Sequence, residues 1–342
     1  MNSKERVHAA IAHQRPDRTP RGELAIEDEI LRGLIGEERY LTLEPNARLL
    51  AAITELDADL VNVHQFPMTQ VGETATGPIF RSALGDEHVI VNGSSHLHRS
   101  AILDIADADA YQPPHPSTCV TSNLDWFVAN SDLFVFTQVM GPVSSLDWML
   151  GTEDYMIWAM TDTDAIRGVT EKVVDYEIAR ACQFIDHGAD AIMITDDMAF
   201  NSGLFLPPPI MDVLAWPYYR RMIERIKAHK DVPIFLHSDG DIRAGLPSIT
   251  ECGFDGLHSL QPSASMDIVA VKREYGDRLC LMGNMDLNAL MTFGSPEEVA
   301  QQTAMLCQQL GSDGGHILST CNILTNAVPV ANARAMYGAA RG

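Results

Sequence analysis

The chain has no CxxC pair among its six cysteines, no run of apolar residues long enough for a membrane helix, and few basic residues. Each shortage removes a class of function. A transmembrane helix needs roughly 20 consecutive apolar residues, and no stretch approaches that. The 24 Lys and Arg are outnumbered by 46 Asp and Glu, giving a formal charge of −22, so a basic face for nucleic acid is not expected. The same acidity disfavours a polycarboxylate ligand unless a local arginine cluster exists. It serves solubility, or offers a docking surface to a basic patch on a partner. The start, Met1-Asn2-Ser3-Lys4-Glu5-Arg6-Val7, lacks the basic-then-apolar pattern of a secretory signal, so a cytoplasmic location is the expectation. Internal repeats and low-complexity tracts are also missing from the pattern. Without paired cysteines, Cys182, Cys280 and Cys307, all in apolar contexts, read as small core residues of a reducing compartment.

What is present is a long alternation of short apolar runs with helical stretches. Strands are expected at 20–25, 59–64, 132–140, 191–195, 232–236, 256–259, 279–282 and 316–319. Helices are expected over 3–13, capped by Ser3, near 45–56, over 145–158, 163–187 and 210–229, and near 241–252, 266–275 and 296–310. A β-hairpin is expected within 78–99, where apolar and polar residues alternate, and a proline-rich loop over 111–118. Eight strands separated by helices predict an α/β fold, a single (β/α)8 TIM barrel. It spans 1–342 as one domain, with an N-terminal helical extension and an inserted β-hairpin.

In such a barrel the residues just past the strands face one pocket. Polar residues collect there: Glu23, His64, Gln138, Asp196 with Asp197, His237 with Asp239, His258, Asn284 with Asp286, and Cys321. His237 and Cys321, far apart in sequence, would meet at one metal ion, and Zn²⁺ accepts imidazole nitrogen and thiolate. Residues i and i+2 of an extended segment point the same way, so Asp239 can join His237; alternatively it caps the helix that follows. Glu23 could complete a four-ligand set. Asp196 and the other single acids are open to the plainer reading of helix caps. Met68, Phe66, Met198, Phe200, Phe205 and Trp148 fall in or beside the post-strand loops, where they would clamp an apolar or aromatic ligand or simply pack.

Several stretches carry a resemblance: Lys4-Glu5-Arg6-Val7 with Pro16-Asp17-Arg18, Met140-Gly141-Pro142, Asp196 through Gly203, Leu236-His237-Ser238-Asp239-Gly240, Gly253-Phe254-Asp255-Gly256, Gly283-Asn284-Met285-Asp286, and Gly294-Ser295-Pro296-Glu297-Glu298. In these the chain resembles the uroporphyrinogen decarboxylase-like superfamily, and within it the corrinoid-dependent methyltransferases. The decarboxylases carry an N-terminal arginine-rich motif that grips substrate carboxylates; here only Arg21 is near and Glu23 is acidic, which disfavours porphyrinogen decarboxylation. The zinc methyltransferases carry His-x-Cys and a later Cys; this chain has His237, Asp239 and Cys321. The resemblance therefore implies zinc held by His237 and Cys321 with Glu23 or Asp239. Exchanging a thiolate for a carboxylate makes the metal harder and better suited to oxygen.

What the resemblance implies is O-demethylation of a methoxylated aromatic. The methyl group passes to the Co(I) centre of a corrinoid carried by a separate protein, because no Asp-x-His-x-x-Gly motif for that cofactor occurs here. His237, Asp239, Glu23 and Asp196 would serve the chemistry. His64, Met68, Trp148, Met198, Phe200, Asn284 and Asp286 would hold the substrate. Two alternatives stand beside it: transfer of methyl from a corrinoid protein to a thiol or to tetrahydrofolate, with Asn284 and Asp196 on the pterin, and a non-catalytic barrel that binds a small molecule. The sequence leaves monomer and homodimer open.

Overall fold

The computed structural model describes residues 1–64, 66, 68–91 and 94–340. Seven parallel strands form one curled sheet, in the order Leu60–Val63, Phe134–Met140, Ala191–Thr195, Ile234–Ser238, Gly256–Ser259, Cys280–Met282 and His316–Ile317. Neighbours in the sheet follow one another in chain order, each pair parallel. The strand expected at 20–25 is not a regular strand. Instead Arg21 and Ile26 make single parallel bridges to Leu318 and Leu324. The segment also reaches the other edge of the sheet: the Asp59 amide donates to the Arg21 carbonyl at 2.8 Å, while the Gly22 amide donates to the Leu318 carbonyl at 3.0 Å. A chain segment thus joins both edges of the seven-stranded sheet.

Alternation along the strands sorts their side chains into two apolar layers. Inside the curl, Leu60, Phe134, Phe136, Met193, Phe235 and Ile317 pack together, and Phe136 and Phe235 meet edge to face at 5.2 Å. The helix Ser3–Ile11 plugs one end of this interior with Val7 and Ala10. The larger outer layer lies between sheet and helices. Its longest element, Thr163–Asp186, buries Ile166, Val169, Val173, Ile178, Ala181 and Ile185 at three-to-five-residue spacing. Among the described residues no helix is long and apolar enough to cross a membrane.

Several expected elements differ in form. The first helix is capped by Asn2, not Ser3, and the Asn2–Glu5 pair forms a reciprocal capping box. The expected hairpin is one part of a four-stranded antiparallel sheet, Met68–Thr74, Gly77–Ser82, Glu87–Val91 and Ser94–Arg99; positions 92–93 lie outside the described residues. Two helices expected over 145–187 are three, Pro142–Leu150, Thr152–Thr161 and Thr163–Asp186, with Gly151 at φ +87° between the first pair. The helix expected over 210–229 breaks at Ala215 into Pro208–Leu214 and Trp216–His229, because Pro217 must sit in a first turn. The strand expected at 232–236 runs Ile234–Ser238, so His237 lies within it rather than past its end.

Two buried clusters hold the segment that joins the sheet edges. Asp59, fully buried, accepts from Arg6 Nη1 at 2.6 Å, from Arg18 Nη1 at 2.5 Å and from the Arg21 amide at 3.1 Å. Arg21, also fully buried, donates to the Tyr337 carbonyl at 2.8 Å and pairs with Asp57. Glu23 corrects an expectation: its carboxylate is enclosed within this joint. It accepts from Thr320 Oγ1 at 2.5 Å, Tyr337 OH at 3.0 Å and Ser319 Oγ at 3.4 Å. Burial pushes the Glu23 carboxyl up to about 7, although the Thr320 and Tyr337 hydrogen bonds pull the other way.

Removing one partner of a buried ion pair strands the other, which typically costs about 3–5 kcal/mol. Asp59→Ala is expected to lose stability in that range, because Arg6 keeps only part of its compensation; urea unfolding measures it. Glu23 has a folded-state pKa raised above its unfolded value near 4.5. Its protonated form therefore contributes stability fully below about 4.5, and that contribution is lost as pH rises to about 7. Glu23→Gln stays neutral throughout. The stability of the wild type relative to this variant should decline across that window, as unfolding curves at several pH values would register.

Candidate active site

The parallel register sets His237 level with Thr195 on one neighbouring strand and with His258 on the other. At this level the strands give way to loops, and three acceptor groups converge. One ligand atom from each of Asp197, His237 and Asp239 lies within 4.8 Å of the other two. His237 Nε2 stands 3.7 Å from Asp197 Oδ1. Local chain geometry explains the convergence. Asp197 Oδ1 accepts the Asp239 amide at 2.8 Å, which ties the two post-strand turns together. Gly240, at φ +83°, lets the chain turn against the Ala199 carbonyl, where a Cβ would lie 2.3 Å away.

Asp239 does not cap the following helix. Its carboxylate accepts from Ser259 Oγ at 2.6 Å and from Asn322 Nδ2. Burial raises its pKa, His237 lowers it and Asp197 raises it further. His237 is backed by His258: the two Nδ1 atoms are 2.7 Å apart, and the rings are tilted by 31° with centroids at 4.9 Å. His258 is fully buried, and burial drives its pKa well below the usual histidine range.

A cavity of about 310 Å³ opens beside the cluster and takes His237 and Asp197 into its wall. The remaining wall is mostly apolar, with Leu24, Phe66, Met68, Leu84, Met140 and Trp148. Met68 of the four-stranded antiparallel sheet and Leu84 and Asp86 from the turn between its strands Gly77–Ser82 and Glu87–Val91 also line the cavity. Trp148 is held at 5.0 Å from the His88 ring, and His88 bonds Asp86 at 2.7 Å. A buried ion pair, Glu177 with Arg180 at 2.7 Å, forms the floor, and Arg180 lies 5.4 Å over the Phe66 ring. A second, open depression on the other side of the cluster is lined by Asp239, Cys321, Asn322 and Phe293.

The sequence-derived candidates therefore divide. His237 and Asp239 come together, joined by Asp197. Cys321 lies beside Asp239 in the second depression, outside the three-residue cluster, and burial pushes its thiol up to about 12. Glu23 is committed to Thr320 and Tyr337. Asp196 is fully buried as a helix cap: it accepts from the Val143 amide at 3.1 Å, the Ser144 amide at 2.5 Å and Tyr219 OH at 2.5 Å. A Cβ at Gly141 would meet the Asp196 carboxylate at 2.0 Å, so glycine is required for this cap. Burial raises Asp196 to about 6 against those hydrogen bonds.

Met68 and Trp148 line the main cavity, as does Phe66. His64 stands beside it, with Nε2 at 3.0 Å from the Leu24 carbonyl and 3.3 Å from Gln138 Nε2. Met198 is fully buried in the outer core and does not face the cavity. Phe200 is exposed and packs on Phe205 at 4.3 Å, outside it. Asn284 donates to the Leu260 carbonyl at 2.7 Å, and Asp286 accepts the Asn288 amide at 2.9 Å; neither belongs to the cavity wall. Sequence reasoning placed Asp197 and His258 in the right region but gave them no role. It missed Glu177 and Arg180, whose only trace is an i,i+3 charge pair on the buried face of a helix.

Residues 82–342 match the uroporphyrinogen decarboxylase (URO-D) family. A uroporphyrinogen decarboxylase of Chlorobaculum tepidum is 29% identical over 147 residues, 43% of this chain and 39% of that protein. The methylcobamide:CoM methyltransferase MtaA of Methanosarcina barkeri is 27% identical over 154 residues, 45% of this chain and 43% of that protein. The chain thus aligns with about two-fifths of the length of these curated relatives. Among solved structures, a methyltransferase from Methanosarcina mazei superposes with a TM-score of 0.77 over 100% of this chain and 98% of that one, at 18% identity. With its curled parallel sheet and a match over three-quarters of its length, the chain belongs to the URO-D family.

Proposed function

We propose that this protein is a methyltransferase. In this reading it moves a methyl group from a small methoxylated aromatic to the cobalt of a corrinoid carried by another protein. The observation that carries it is the cluster of Asp197, His237 and Asp239 beside an apolar cavity. Three groups that present lone pairs to one another are satisfied by a cation, and a nitrogen with two carboxylate oxygens suits a divalent metal of borderline hardness such as zinc. The M. barkeri methyltransferase among the relatives, which by its name acts on a methylcobamide, supports the corrinoid half of this reading.

Asp197, His237 and Asp239 would hold the metal, and Cys321, next to Asp239, would add a thiolate on losing its proton to the metal. Zinc bound there would supply a Lewis acid to the leaving oxygen. The chain's own residues do the rest. Phe66, Met68 and Trp148 hold an aromatic ring and keep water from the reacting oxygen. Ser259 and Asn322 fix the Asp239 carboxylate in place. The segment 20–26 is read as the eighth stave of a single barrel domain, with the site at the C-terminal ends of its strands.

Decarboxylation of uroporphyrinogen fits the cavity poorly. Among the described residues its wall holds one arginine or lysine, Arg180, paired with Glu177, against the acids Asp86, Asp196 and Asp197. A polycarboxylate would meet like charge. A thiol acceptor is the second reading, favoured by the M. barkeri relative, whereas the carboxylate-rich cluster favours oxygen.

Two measurements test the proposal. Purified protein should carry close to one zinc per chain; His237→Ala, Asp239→Asn and Cys321→Ala should each weaken binding by about tenfold or more, while Glu23→Gln keeps it. Retention of full zinc by His237→Ala would defeat the site. Demethylation of aryl methyl ethers should require an added corrinoid protein in its reduced state, followed by its absorbance change. His237→Ala should slow it by about a hundredfold, near 3 kcal/mol of lost transition-state stabilisation. The same preparations should leave uroporphyrinogen unchanged, and methylation of an added thiol in place of ether demethylation would select the second reading.

A further inference from the structure

His258 touches neither cavity. It is fully buried on the next strand, level with His237, and its Nδ1 meets His237 Nδ1 at 2.7 Å. Two nitrogens at that distance share one proton: one donates and the other accepts. The second nitrogen of His258 decides which. His258 Nε2 lies 3.3 Å from Ser319 Oγ, whose single proton has two acceptors away from the ring, the Thr320 carbonyl at 2.9 Å and Glu23 at 3.4 Å. Ser319 Oγ is then an acceptor toward the ring. That contact calls for a hydrogen on Nε2 of His258. A neutral imidazole has only one, so its Nδ1 carries a lone pair, and full burial keeps the ring neutral. The proton between the rings must come from His237 Nδ1.

We propose that His258 is a positioning residue: it holds His237 in the Nδ1–H tautomer, with the Nε2 lone pair turned toward Asp197 and Asp239. The metal-holding consequence rests on the function proposed above; the tautomer does not. Histidine ligands are commonly fixed by a hydrogen bond from the other ring nitrogen to a carboxylate or carbonyl. Here a neutral imidazole fills that place. It adds no negative charge to a site that already contains two carboxylates. It also sits on the adjacent strand, so the backbone register sets the ring spacing.

The test uses the full-length protein, stripped of metal by a chelator and labelled with 15N at histidine. In long-range 1H–15N correlation spectra at a pH where both rings are neutral, His237 should show a protonated Nδ1 and a bare Nε2, and His258 the reverse. Signals are assigned with His237→Gln and His258→Asn. A proton on Nε2 of His237 overturns the proposal. Zinc affinity, read by competition with a chromophoric chelator, supplies the second arm. Asn places an amide oxygen near the position of the His258 Nδ1, so His258→Asn should bind zinc within a few-fold of the wild type. His258→Leu offers no acceptor and should bind about 10- to 100-fold more weakly. Unchanged affinity in His258→Leu overturns the positioning role. If His258→Leu does not fold, the wild-type spectrum alone decides. If the wild type binds no zinc, the function proposed above falls, and the spectrum still decides the tautomer.

Discussion

The lateral register of Ile234–Ser238 is the constraint on which the site depends. Parallel strands exchange evenly spaced hydrogen bonds, and a slip by one residue would turn every side chain to the opposite face. With the observed register, Phe235 faces the interior of the curl, where it packs against Phe136, and His237 follows two residues later on the same side. His258 arrives level with it from the next strand. The apolar packing deep in the curl therefore sets the position of the polar groups at its end. A substitution that disturbed Phe235 would act on His237 without touching it.

The electrostatics of this end of the sheet run against ordinary folding preference. Asp196, Asp239 and Glu23 all have pKa values raised chiefly by burial, so each is costly to ionise where it stands. Their surroundings answer in different ways. Asp196 and Glu23 are surrounded by donors and serve the framework. Asp239 has two donors and also faces His237 and Asp197. The difference between a structural acid and one available to a ligand lies in what remains unsatisfied after the protein's own donors are counted.

The order of strands and helices was legible in the sequence because buried parallel strands are short apolar runs and their flanking helices keep a regular period. Seven of the expected strand positions correspond to strands of the sheet; the one at 20–25 is reduced to isolated bridges at Arg21 and Ile26. At the site, the meeting of His237 with Asp239 followed from i,i+2 spacing. The depth of Asp196, Glu23 and Met198 did not, because sequence shows that a residue follows a strand but not which side of the turn it takes. Glu177 and Arg180 were hidden for a related reason: an i,i+3 pair of opposite charges looks the same on a wet helix face as on a buried one.

The joint at Arg21 and Glu23 has a consequence for the order in which the molecule can assemble. Arg21 needs the carbonyl of Tyr337, and Glu23 needs Thr320 and the Tyr337 hydroxyl. These partners are separated from it by about three hundred positions of chain. During synthesis from the N-terminus, the early residues must wait in an incompletely bonded state until residue 337 has emerged. Contacts of such long sequence separation form late and slowly. The sheet can stack strand upon strand as it leaves the ribosome, with Arg21 already bonded to Asp59 at its first edge, but its last edge can be fastened only at the close of translation, and an arrest upstream of residue 316 leaves that edge open to pair with other chains.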